Sequence, residues 1–108
     1  MYNKKDFEKI KNILVKNIPD LESVFIFGSY ASGKATNESD IDIAVVIKKA
    51  LARKQKLKLL NKLWNETGDK GYSVDFIIKT IEDYENEKRL PTLSRVIFNK
   101  GSLLWRKN

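Results

Sequence analysis

The chain has 108 residues, 42% apolar and 32% charged, and its 21 basic against 14 acidic side chains give a net charge of +7. That length holds one hydrophobic core and no second folded unit, so a single domain over residues 1–108 is expected. With neither cysteine nor histidine present, disulfide frameworks, thiolate nucleophiles, zinc–thiolate sites, imidazole triads and two-His-one-carboxylate iron sites are excluded.

The first helix is expected over residues 3–16, where Phe7, Ile10, Ile13 and Leu14 recur at helical spacing and Asn3 stands as N-cap with Asp6 three residues on. Ile18-Pro19-Asp20 stops it. Residues 22–27 (ESVFIF) read as a buried strand, ended by Gly28. Ser29 is expected to cap a short helical turn over 30–33, and 34–39 reads as loop. A second strand follows over 41–47.

Residues 50–64 carry Leu57, Leu60 and Trp64 at i, i+3 and i+7 with Leu63 beside them, which predicts an amphipathic helix with that stripe buried. Seven of the 21 basic residues, and no acid, fall between Lys48 and Lys62, leaving 14 basic against 14 acidic residues elsewhere. The excess charge is therefore one local patch, either the solvated face of a helix, which is the stronger reading, or a nucleic-acid surface. Residues 65–71 (NETGDKG) read as a turn, and 72–78 as a third strand with Tyr72, Val74, Phe76 and Ile78 on one face and Ser73, Asp75 and Ile77 on the other. Thr80 and Asp83 suggest a cap opening a helix to about Lys88. Pro91 is expected to open a last helix through Asn99, and 102–105 a short edge strand. Alternating helix and strand predicts an α/β (α+β) fold, a small mixed β-sheet with helices packed on one face. No apolar run approaches the ~20 residues of a membrane helix, and the first residues lack signal-peptide features, so a cytoplasmic protein with no membrane contact is expected.

Chemistry concentrates between Phe27 and Val46, FGSYASGKATNESDIDIAVV. Asp40 and Asp42 occupy alternate positions of a strand and so share a face. On their own, both acids are equally well explained as flanking a turn at an exposed strand end. Asp75 shifts the balance, because strands seldom carry Asp among apolar residues. Three carboxylates gathered from two strands suit a hard divalent cation. Gly28 lets backbone approach a ligand closely, and the Ser29 hydroxyl adds a donor; the plain alternative is a tight turn. GSYASGKA over 28–35 nearly matches the P-loop pattern but has Ala35 where a magnesium-binding hydroxyl is required, and it leaves the three acids without a shared role.

Gly28-Ser29 and Asp40-Ile41-Asp42 together resemble the signature of the DNA polymerase β-like nucleotidyltransferase superfamily. The whole run is similar to the minimal nucleotidyltransferase (MNT) proteins, and Val74-Asp75-Phe76 resembles their third-acid strand. The resemblance implies that Gly28 and Ser29 bind the nucleotide triphosphate, that Asp40 and Asp42 ligate magnesium as two Mg2+ ions, and that Asp75 completes the metal site and helps activate the acceptor, making all three acids catalytic. Many members carry arginine where this chain has Tyr30 or Ser32. That departure touches phosphate contacts from those two positions and leaves the metal ligands unaffected.

The implied reaction transfers a nucleoside monophosphate, AMP from ATP, to a hydroxyl and releases pyrophosphate. Larger relatives carry extra domains for the acceptor. Here it is expected to arrive on another protein or to be shaped by a second copy in a homo-oligomer. Stand-alone members are often antitoxins paired with HEPN-domain toxins, so the resemblance implies a HEPN toxin as partner. The alternative is a non-catalytic binding module that neutralises its partner by contact.

Overall fold

The computed structural model describes residues 1–87 and 101–108. The last helix expected from Pro91 to Asn99 lies outside the described residues.

Helix α1 (Lys4–Asn17) opens on the anticipated reciprocal cap. Asn3 Oδ1 accepts the Lys5 and Asp6 N–H groups at 3.0 and 3.2 Å, while Asp6 Oδ2 accepts Asn3 N–H at 2.8 Å. Two of the helix's free amides are thereby satisfied. Ile18 turns extended ahead of Pro19 and closes the helix, which buries Ile10, Ile13 and Leu14.

Strand β1 (Leu21–Phe27) runs straight into the short helix α2 (Gly28–Ser32). The expected Ser29 cap is corrected here. The helix begins two residues earlier, with Phe27 at the cap position and no side-chain capping bond. Gly28 has φ +68°, a left-handed conformation that glycine adopts without steric penalty, so the strand turns at once rather than through a polar cap. Strand β2 (Ile41–Ile47) falls where expected.

Helix α3 (Arg53–Asp69) starts three residues later than the pattern suggests and absorbs most of the predicted turn. Gln55 Oε1 takes the Ala52 N–H at 3.1 Å and fixes the start. Farther along, Thr67 is buried, and its hydroxyl donates to the Leu63 carbonyl at 2.8 Å. A buried hydroxyl satisfied one turn back lets the helix continue through a polar stretch. The stripe also differs from expectation. Leu63 and Thr67 face inward with Leu59 and Leu60 partly covered, whereas Leu57 and Trp64 are 51% and 43% exposed.

Strand β3 (Val74–Thr80) begins two residues late but keeps the predicted parity, with Val74, Phe76 and Ile78 in the core. Helix α4 (Ile81–Glu87) follows, and Thr80 Oγ1 accepts the Asp83 N–H at 3.0 Å as the capping pattern suggested. Strand β4 (Ser102–Arg106) is the expected edge strand.

Among the described residues the four strands form one mixed sheet in the order β3-β2-β1-β4. β1 pairs antiparallel with both β2 and β4, and β2 pairs parallel with β3. One face carries the main core, in which Ile10, Leu14 and Leu63 of α1 and α3 meet Val24, Ile41 and Ile43. The long helices therefore cover one face, as expected for this class. α4 adds a smaller cover on the other, where Tyr84 packs on Ala44 and Val46 beside Phe25 and Phe27. No helix among the described residues is long and apolar enough to cross a membrane.

Candidate active site

The register of the parallel pair decides where the acids stand. Asp42 lies directly opposite Asp75, so the two carboxylates project abreast from adjacent strands on one face. Asp42 also pairs with Phe27, the residue before Gly28, which brings the α2 turn against the same spot. A Cβ on Gly28 would lie 2.2 Å from Asp42 Oδ2. Only glycine fits there. Asp40 stands one step before β2 on the face of Asp42, about 6.7 Å along by strand rise.

Ser73, just outside β3, sits across from Asp40, and its hydroxyl donates to Asp40 Oδ1 at 2.5 Å. The Ser73 amide in turn donates to the Tyr2 hydroxyl at 3.0 Å, and the Tyr2 amide donates to the Tyr30 hydroxyl at 3.3 Å. Tyr30, at a position where the resemblance leads one to look for arginine, is thus occupied in an aromatic cluster with Tyr2 and Phe7.

Electrostatically the site is crowded with negative charge. Asp42 is partly buried, and its carboxyl is raised above the usual carboxylate range by burial first, then by the Asp75 and Asp40 charges. Among the described residues no lysine or arginine forms an ion pair with any of the three acids. Their side chains line one rim but do not converge into a closed set of metal ligands among the described residues. Asp40 is turned toward Ser73 instead. The donor set itself, carboxylate oxygens from a rigid strand pair with mutual repulsion to relieve, fits a hard divalent cation. A groove of about 440 Å³ bordered by Phe7, Tyr30 and Leu104 includes none of these acids.

All five residues singled out in the sequence therefore lie at or beside this rim: Gly28 against Asp42, Ser29 in the first turn of α2, Asp42 beside Asp75, and Asp40 next along. Ser73 was missed. Its signal was available, two positions before Asp75 on the face of the acid, but its partner could be found only through the parallel register.

This is a nucleotidyltransferase-type arrangement, a strand–glycine turn–helix unit facing an acid-bearing parallel strand pair. Residues 8–108 match the family model described as Polymerase beta, Nucleotidyltransferase, and the chain belongs to that family. It is 42% identical over 55 residues to the protein adenylyltransferase MntA of Shewanella oneidensis, a match covering 51% of this chain and 40% of that relative. The chain thus spans well under two thirds of that relative's length. Among solved structures it is similar to a chain of a toxin-antitoxin complex with AMP-PNP, at 29% identity and TM-score 0.67, covering 94% of this chain and 74% of that one. A tri-AMPylated Shewanella oneidensis HEPN toxin in complex with MNT antitoxin is also similar, at 26% identity and TM-score 0.63, covering 96% and 72%.

Proposed function

We propose that the chain is a protein adenylyltransferase that moves AMP from ATP to a hydroxyl of a partner protein, with a HEPN-domain toxin as the partner it neutralises. The observation that carries this reading is the Asp42–Asp75 pair, in register on parallel strands, with Asp42 pressed against Gly28. The AMPylated HEPN toxin in a similar complex supports the acceptor class.

In the reaction the acceptor oxygen forms a bond to the α-phosphorus, the bond to the pyrophosphate oxygen breaks, and pyrophosphate leaves with the electron pair. Gly28 leaves room for phosphate oxygens to approach the backbone, and the Ser29 hydroxyl donates to them. Asp40 and Asp42 would hold Mg2+, as two ions, and Asp75 would complete the ligand set. Cations bound there would lower the acceptor's pKa and neutralise charge on the α-phosphoryl group and the leaving pyrophosphate. Asp75 accepts the acceptor's hydroxyl hydrogen and orients the oxygen for in-line attack. The Ser73 hydroxyl holds Asp40 at the rim.

Incubation with α-labelled ATP, a divalent cation and a HEPN-domain toxin tests the proposal. Label is expected on the partner with the native chain and not with an Asp40→Ala, Asp42→Ala double variant. No label with the native chain would contradict it. Neutralisation by the double variant would favour the contact-only module.

A further inference from the structure

Helix α3 carries two apolar stripes. The inward one, Leu63 and Thr67 with Leu59, belongs to the core. The outward one is Leu57 and Trp64, 51% and 43% exposed, with Leu60 half-buried between them and reaching the core at its inner edge. Arg53 and Lys54 lie one turn before Leu57 on this side and Lys58 flanks it, all exposed, and no acid occurs between Lys48 and Lys62. A core needs only one of the two stripes. An exposed aliphatic–aromatic row with a cationic rim is the composition of an anchor surface, apolar at its centre and charged at its margin.

We infer that this outer face of α3 docks an acidic amphipathic helix of a partner protein, its apolar residues seated on Leu57, Leu60 and Trp64 and its carboxylates facing the cationic rim. Charge complementarity selects the occupant. A second copy of α3 would set cation against cation at the margin, at a cost of like-charge juxtaposition. Residues 88–100 of this chain contain Lys88, Arg89, Arg95 and Lys100 and no acid, so they are mismatched in the same way. Nucleic acid would pair with the cations but leave Leu57 and Leu60 against phosphate and sugar, where neither gains anything. Helix-in-groove recognition through anchors at this spacing meets both requirements.

The surface lies on the sheet face opposite Asp42 and Asp75, so it can be tested without the chemistry. The probes are a synthetic amphipathic helical peptide with a leucine stripe flanked by glutamates, the same peptide with lysines in place of the glutamates, and an RNA hairpin. Binding is followed by Trp64 fluorescence in a Trp105→Phe background. The glutamate peptide is expected to bind saturably with a blue shift, to weaken as salt rises, and to lose about tenfold or more in affinity with Leu57→Glu. A Lys54→Glu, Lys58→Glu variant, whose changes are confined to exposed positions, is expected to lose the preference for glutamate over lysine. Equal binding of both peptides, tighter binding of the hairpin, Leu57-dependent self-association, or no binding of the glutamate peptide would each overturn the inference. Circular dichroism of each variant establishes that it is folded.

Discussion

The Asp42 carboxylate fills the space a side chain on Gly28 would need, and that contact ties the backbone turn to the candidate chemistry. A Gly28→Ala variant meets two obstacles, a left-handed φ of +68° and a Cβ 2.2 Å from Asp42 Oδ2. The backbone alone costs about 1–2 kcal/mol, and the displaced carboxylate adds to it. Denaturant unfolding should show at least that loss, and transfer activity should fall with it. Asp42→Asn should act in the opposite sense on stability. It removes one of three neighbouring charges from a partly buried position, so in chelator at neutral pH the variant should melt higher than the native chain. Adding Mg2+ with nucleotide should stabilise the native chain and not the variant. A variant that melts lower in chelator would mean that the carboxylate is satisfied without a cation.

At the scale of elements, α1 and α3 are tied by Glu66, which accepts from Lys16 at 2.9 Å and also from Asn17. The Lys16 hydrogen bond is the first cause holding the Glu66 carboxyl below its usual range. A depressed carboxylate contributes stability above its unfolded pKa and loses it as pH falls through the folded value. Glu66→Gln should therefore lower the melting temperature slightly at neutral pH, and the difference should vanish in acid; a difference that persists there would remove the ion pair as its cause. Leu63→Ala, at a fully buried position, should cost about 2–5 kcal/mol.

These elements also mark what the sequence could reveal. β2 was legible to the residue because alternation and the acids at its start agree, and Asn3 announced α1 through a local cap. The end of α3 was not. NETGD has turn composition, and its helical state rests on Thr67 bonding Leu63 and on Glu66 reaching across to α1, one interaction buried and the other nearly 50 residues distant in sequence. The exposed stripe misled for a related reason, since periodicity reports an apolar row without saying which of two rows faces the core. At the candidate site, the grouping of the acids near Gly28 was legible from residue type and spacing, while the Ser73–Asp40 bond required the β2–β3 register.

At the scale of the molecule, the sheet separates two surfaces. Its α4 face carries Asp42 and Asp75, and its α1–α3 face carries the basic helix that holds much of the excess charge. Sites so separated, with no shared partners among the described residues, should behave additively. Leu57→Glu is therefore expected to leave nucleotide-dependent stabilisation unchanged, and Asp42→Asn to leave peptide binding at α3 unchanged, as paired thermal-shift and fluorescence titrations would show. Coupling between them would point to a rearrangement of the sheet.

Adenylyl transfer by this chain requires that Asp40, Asp42 and Asp75 act together on a metal-bound nucleotide. Anomalous diffraction from crystals grown with Mn2+ and a non-hydrolysable ATP analogue tests it directly. The account predicts metal density ligated by Asp40 and Asp42, with the Asp75 carboxylate joining it and the triphosphate against Gly28 and Ser29. A nucleotide bound elsewhere, or metal that Asp75 does not approach, would contradict it.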